Sequence, residues 1–175
     1  MTEKQQAILQ SAQTLIAAHG YSTVSTAKIA LHAGVSEALI FRHFGSKKGL
    51  ASAVLVEGEK ARATLLYGHL NGPDPTDVLR AFTSISLDEL ENSTGALAWI
   101  AMIRMTLEDP KRLAMDAFIM ERLRWAIGAV GHGSEEAVAC AAVEILERAL
   151  LLSFRGDALS SSLCLRGLRE MLINE

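Results

Sequence analysis

Apolar residues recur at helical spacing almost from the start of the chain. Thr2-Glu3-Lys4-Gln5 has capping-box spacing, and Ile8, Ala12, Leu15, Ile16 and His19 then share one face, which predicts an amphipathic helix stopped by Gly20. Ser25 is placed to cap a short second helix, Thr26 to His32, with Ile29 and Ala30 inward, and Gly34 supplies the turn that ends it. Ser36 opens a third helix of about two turns, to Phe44, and Ser46 a fourth, from Lys47 to about Leu70.

The strongest break is Asn71-Gly72-Pro73-Asp74-Pro75, where Asp74 and Pro75 have the cap and first-position chemistry for a fifth helix through about Glu91. Asn92 to Gly95 separates it from a sixth, Ala96 to Leu107. Asp109-Pro110 repeats the cap-plus-proline start for a seventh, ending near Gly128 to Gly133. Ser134 caps an eighth to about Phe154, and Asp157 opens a ninth to Leu172. The fold class is all-α, with about nine helices. Short helices give way to long ones near residues 45–50, so a domain boundary is expected there, bridged by the fourth helix as a mechanical link.

Charge sharpens this division. Residues 1–50 carry five Lys or Arg against two Glu, net +3, while the remainder carries 12 basic against 18 acidic residues, net −6. A basic head on an acidic body directs attention to anionic partners of the head. Cys140 and Cys164 lie within apolar helical patterns and are expected to be buried, reduced thiols. The polar start, Thr2 to Gln6, does not read as a signal peptide, and no uncharged apolar run reaches the roughly 18 residues that span a bilayer. The expectation is a cytoplasmic protein without membrane contact.

Two short helices around Gly34, the second opening at Ser36, form a helix-turn-helix pattern whose second helix fits a major groove about 12 Å wide. In that helix Ile40, Phe41 and Phe44 are the candidates to pack on the first two helices, Phe41 bordering the exposed side. Arg42 and His43 then project outward. Gly20-Tyr21, the run Thr26 to Ser36 (TAKIALHAGVS) and Phe41 to Leu50 (FRHFGSKKGL) together resemble the TetR family of bacterial transcriptional regulators.

The resemblance implies an N-terminal DNA-binding domain, residues 1–47, and an effector-binding and dimerisation domain, residues 48–175. Carried over by position, Ser25 and Thr26 would hold phosphates, where free N–H groups at a helix start favour anions. Ser36, Glu37, Ala38 and Leu39 would approach base edges, Arg42 and His43 would contact bases or backbone, and Lys47 would pair with a phosphate. Arg42 suits a bidentate contact to guanine or, slightly preferred, a salt-sensitive phosphate contact. The family usually has Tyr where this chain has Phe41, so that hydroxyl's phosphate contact is missing.

In the body, only Glu144, Glu147, Arg148 and Ser153 interrupt the apolar run from Ala137 to Phe154, and Leu159, Leu163, Leu168, Met171 and Leu172 mark one face of the last helix. These two helices are candidates for a four-helix homodimer interface, which the resemblance also implies, together with a two-fold symmetric double-stranded DNA operator. It further implies a small-molecule effector in the body. Phe82, Trp99, Met102, Ile103, Met105, Phe118, Ile119 and Leu123 are the candidates to line its pocket, a set equally suited to plain core, and their apolar character points to a hydrophobic effector. His-Glu-x-x-His, Glu-x-x-His, Cys-x-x-Cys and phosphate-loop signatures are missing, so neither an enzyme nor a metal or other cofactor is expected. Glu144 and Glu147 read as surface partners of Arg148, and His132 as a solvated loop residue. The leading reading is a repressor released from DNA by its ligand. The rival is a helical dimeric ligand- or protein-binding module of the same fold that no longer binds DNA.

Overall fold

The computed structural model describes residues 1–93, 95–109, 116–131 and 133–173, and among these there are ten α-helices and no strand. They are α1 (Glu3–His19), α2 (Thr26–Ala33), α3 (Glu37–Phe44), α4 (Lys47–Leu70), α5 (Pro75–Thr83), α6 (Leu87–Asn92), α7 (Ala96–Glu108), α8 (Ala117–Ala129), α9 (Glu135–Phe154) and α10 (Ala158–Ile173). Cap chemistry accounts for most starts. Thr2 and Gln5 form the reciprocal capping box at 3.2 and 2.8 Å, the Ser46 hydroxyl accepts the Gly49 N–H at 3.0 Å, and Asp74 accepts from Thr76 and Asp77 at 2.9 and 3.0 Å.

Two expected boundaries are corrected. The single fifth helix is two, because Ser84 turns its hydroxyl back to the Ala81 carbonyl at 2.8 Å while Ser86 accepts the Glu89 N–H at 3.1 Å and starts α6. Serines offering the backbone alternative partners end one helix and cap the next. Asp109 does not open a helix: its N–H donates to the Met105 carbonyl at 3.1 Å and closes α7. The start of α8 is instead capped by Asp116, which accepts the Ile119 N–H at 3.1 Å. Pro110 and His132 lie outside the described residues.

The helices divide into two compact units that interleave in sequence. The first holds α1, α2, α3, α4 as far as Ala61, and α7. Its core joins Ile8, Ala12 and Ile16 of α1 to Ile29, Ile40, Leu50, Val54 and Trp99, all buried. α4 and α7 meet at Gly58, where a Cβ would stand 2.5 Å from Met102 Cβ and 2.7 Å from the Ala98 carbonyl oxygen. Only glycine permits that approach.

The second unit holds α4 from Arg62, with α5, α6, α8, α9 and α10. Here Glu147 is corrected from the surface to the interior: it accepts from Arg62 Nη1 at 3.3 Å, and the two residues are 8 % and 2 % exposed. The reason is its register, one turn from buried Val143 and from buried Leu150 and Leu151. The α10 face also divides, since Leu168 and Leu172 are buried whereas Leu159 and Leu163 remain 75 % and 47 % exposed. Cys140 and Cys164 are free thiols, and both are half-buried, not buried as expected. Among the described residues no helix is long and apolar enough to cross a membrane, and no three His, Cys, Asp or Glu side chains gather as a metal site.

Candidate nucleic-acid interface

The geometry of α2 and α3 is set by Gly34. It takes the left-handed conformation, φ 65°, donating to the Leu31 carbonyl at 3.3 Å while Val35 N–H reaches back to the Ala30 carbonyl at 3.0 Å. This paired closure ends α2 and redirects the chain into α3 within two residues. Ile40 then anchors α3 with no exposed surface, and Phe44 is half-buried. Ser36, Glu37, Ala38 and Arg42 are exposed, Leu39 and His43 are half-buried, and Phe41 is 46 % exposed. The His43 and Phe44 rings meet edge-on, centroids 6.5 Å apart.

The first turns of α2 and α3 are joined, because the Thr26 hydroxyl donates to the Glu37 carboxylate. Ser25 caps α2, its hydroxyl accepting the Lys28 N–H at 3.2 Å, whereas Ser36 makes no side-chain cap bond to α3. The Ser36 hydroxyl is therefore not spent on its own helix. Glu37 acts first as a tie between the two helices, and its negative charge at the α3 N-terminus suits the helix dipole.

Tyr21 gathers what spacing alone does not bring together. Lys47 Nζ donates to the Tyr21 carbonyl at 3.0 Å and lies 4.4 Å from the centre of its ring. The Tyr21 and Ser22 N–H groups both donate to the Glu108 carboxylate, each at 2.8 Å. The end of α7 thus holds the turn that leads into α2, and the same turn holds the first residue of α4. Gly20-Tyr21 marks that turn in the sequence, but nothing near it announces Glu108, 87 residues away.

Residues 8–54 match the bacterial regulatory proteins of the TetR family. That match spans α2 and α3 with most of α1 and the start of α4. The chain is similar to the uncharacterized HTH-type transcriptional regulator YvkB of Bacillus subtilis, 39 % identical over 85 residues, 49 % of this chain and 44 % of that protein. It is also similar to the HTH-type transcriptional regulator BetI of Stenotrophomonas maltophilia, 30 % identical over 95 residues, 53 % of this chain and 48 % of that one. The chain thus spans about half the length of the curated relatives it matches. The likeness in fold extends further: the crystal structure of the TetR family transcriptional regulator PfmR from Thermus thermophilus superposes with a TM-score of 0.70 at 21 % identity, covering 94 % of this chain and 96 % of that one.

The residues expected to line an effector pocket fall in both compact units. Trp99, Met102, Ile103 and Met105 are buried on α7 in the first; Phe82, Ile119 and Leu123 are buried in the second, with Phe118 half-buried there. Phe118 meets the Tyr67 ring edge-on at 4.5 Å, and the Tyr67 hydroxyl donates to Asp116 at 2.9 Å. That hydrogen bond to a carboxylate holds the Tyr67 phenol above its ordinary pKa of 10.0. With Arg62, these are polar groups in the body that the apolar pattern did not disclose.

Proposed function

We propose that the chain is a sequence-specific DNA-binding transcriptional regulator, a homodimeric repressor that a small, largely hydrophobic ligand releases from a two-fold symmetric operator. One observation carries the reading: α3 buries Ile40 while leaving Ser36, Ala38 and Arg42 exposed, at the second position of a helix-turn-helix closed at Gly34. Residues 1–47 form the DNA-binding part and residues 48–175 the effector and dimer part. Ser25 and Thr26 at the start of α2 and Lys47 at the start of α4 take phosphates, Arg42 a phosphate or guanine, and His43 the adjoining backbone.

The exposed Leu159 and Leu163, one turn apart on α10, support a dimer seam with α9. In such a dimer the recognition helices address half-sites about 34 Å apart, and ligand binding acts by changing that spacing. The effector reading rests on Phe82, Trp99, Met102, Ile103, Phe118 and Ile119.

A gel-shift titration against DNA upstream of the chain's own gene tests the proposal. Binding should weaken steeply with salt, and Arg42→Ala should weaken it while leaving the dimer intact. Failure of the wild-type chain to bind any fragment selected from random DNA would instead favour the same fold serving as a ligand- or protein-binding module.

A further inference from the structure

We propose that the cleft between the last turn of α1 and α2 is a docking site for an acidic amphipathic helix of a partner protein. The cleft measures about 610 Å³. Leu15, Val24 and Leu31 supply its apolar surface, His19, Lys28 and His32 its basic surface, and no carboxylate lines it. Lys28, Leu31 and His32 stand at i, i+3 and i+4, so one side of α2 presents all three.

The basic groups are available. Among the described residues Lys28 enters no ion pair, and its backbone alone is engaged, in the Ser25 cap. His32 is fixed through Nδ1, 2.9 Å from the hydroxyl of buried Ser11, which leaves Nε2 at the opposite edge of the ring for an outside acceptor. Thr23 turns its hydroxyl proton back to the His19 carbonyl at 2.7 Å.

Leu31 decides between a small ligand and a protein. It stands 84 % exposed at the rim, while a small-molecule pocket encloses about 70–90 % of its ligand. A leucine so exposed encloses nothing by itself and is covered only by a surface that extends past it. An amphipathic helix does this, with an apolar stripe at i, i+3, i+4 and i+7 over Leu15, Val24 and Leu31 and flanking carboxylates toward Lys28 and the two imidazoles. The net +3 charge of residues 1–50 assists its approach. The inference is independent of DNA binding.

The test is a titration of the isotope-labelled full chain, followed by amide resonances, with three probes: a synthetic Leu/Glu amphipathic peptide of about 18 residues, its Leu/Lys counterpart, and sodium decanoate. The acidic peptide should shift the amides of residues 15–32 saturably. A Lys28→Glu, Leu31→Glu double variant, whose exposed positions leave the resonance pattern of the fold intact, should bind it at least about tenfold more weakly. Absence of a saturable shift, equal binding of the basic peptide, or shifts elsewhere would overturn the proposal. The same shifts from decanoate alone would assign the cleft to a small anionic ligand. Concentration-dependent self-association abolished by Leu31→Glu would assign it to a second copy, and either result overturns the proposal as stated.

Discussion

Replacing Glu108 with alanine removes the acceptor for both the Tyr21 and Ser22 N–H groups, each held at 2.8 Å. Hydrogen bonds to a charged group contribute about 1.5–3 kcal/mol each when well shielded. Ser22 and Glu108 are exposed and Tyr21 is half-buried, so water replaces much of what is lost. A combined cost of about 1–2 kcal/mol follows. Glu108→Gln, which retains one neutral acceptor oxygen, should lose about half of that. The assay is residue-resolved amide exchange at Tyr21 and Ser22, alongside urea unfolding. An opening cost lowered by 1–2 kcal/mol accelerates exchange at these two amides about 5–30-fold, more than at the Ile8 or Ile16 amides in the core of α1. Because the turn leads directly into Ser25 and Thr26, DNA affinity in the proposed reading should fall as well, with the dimer unchanged. Unaltered exchange at Tyr21 and Ser22 in the alanine variant would refute the clamp, whatever happened to global stability.

Gly58→Ala forces a Cβ to within 2.7 Å of the Ala98 carbonyl oxygen and should lower stability by about 1–2 kcal/mol net of its helix-propensity gain, as read from the melting temperature. Gly68→Ala, where a Cβ meets nothing within 4 Å, should instead stabilise by up to about 1 kcal/mol. Glu147→Leu leaves Arg62 without its carboxylate in the core and should cost about 3–5 kcal/mol in chemical denaturation; the double variant with Arg62→Met should recover most of it. The Asp157 carboxylate is held below its ordinary value of 3.8 by the Ser160 hydroxyl and then the Ser160 N–H. Its ionised form therefore favours the fold, an effect present above that ordinary value and lost as pH falls through the lowered one. Asp157→Asn should flatten the stability curve in that acid window and leave it unchanged in slope near neutrality.

Local chemistry was the legible part of the sequence. Thr2, Ser25, Ser46 and Asp74 each sit where a side chain satisfies backbone groups within three residues of it, so spacing alone locates those helix starts. The break at Ser84–Ser86 was hidden because Phe82 and Leu90 keep a spacing that one continuous helix also accommodates, and serine is a weak signal of interruption. Glu147 read as a surface residue because its partner, Arg62, is 85 positions away. The same distance in sequence concealed the Glu108 clamp. In the candidate interface, the outward Arg42 and the buried Ile40 follow from helical period. The bond from Thr26 to Glu37 and the seating of Lys47 on Tyr21 depend on where separate elements come to rest.

The placement of α7 with the N-terminal helices bears on how the chain is made. Trp99, Ala101 and Met105 are buried in the same unit as α1, so the apolar face of α1 lacks part of its cover until residue 108 has emerged from the ribosome. Ala61, the last residue that the unit takes from α4, precedes Glu108 by 47 positions. At roughly 5–20 residues per second, that interval lasts about 2–9 s. During it, a nascent head carrying the complete helix-turn-helix sequence is still short of its packing, a window in which chaperones and proteases have their access.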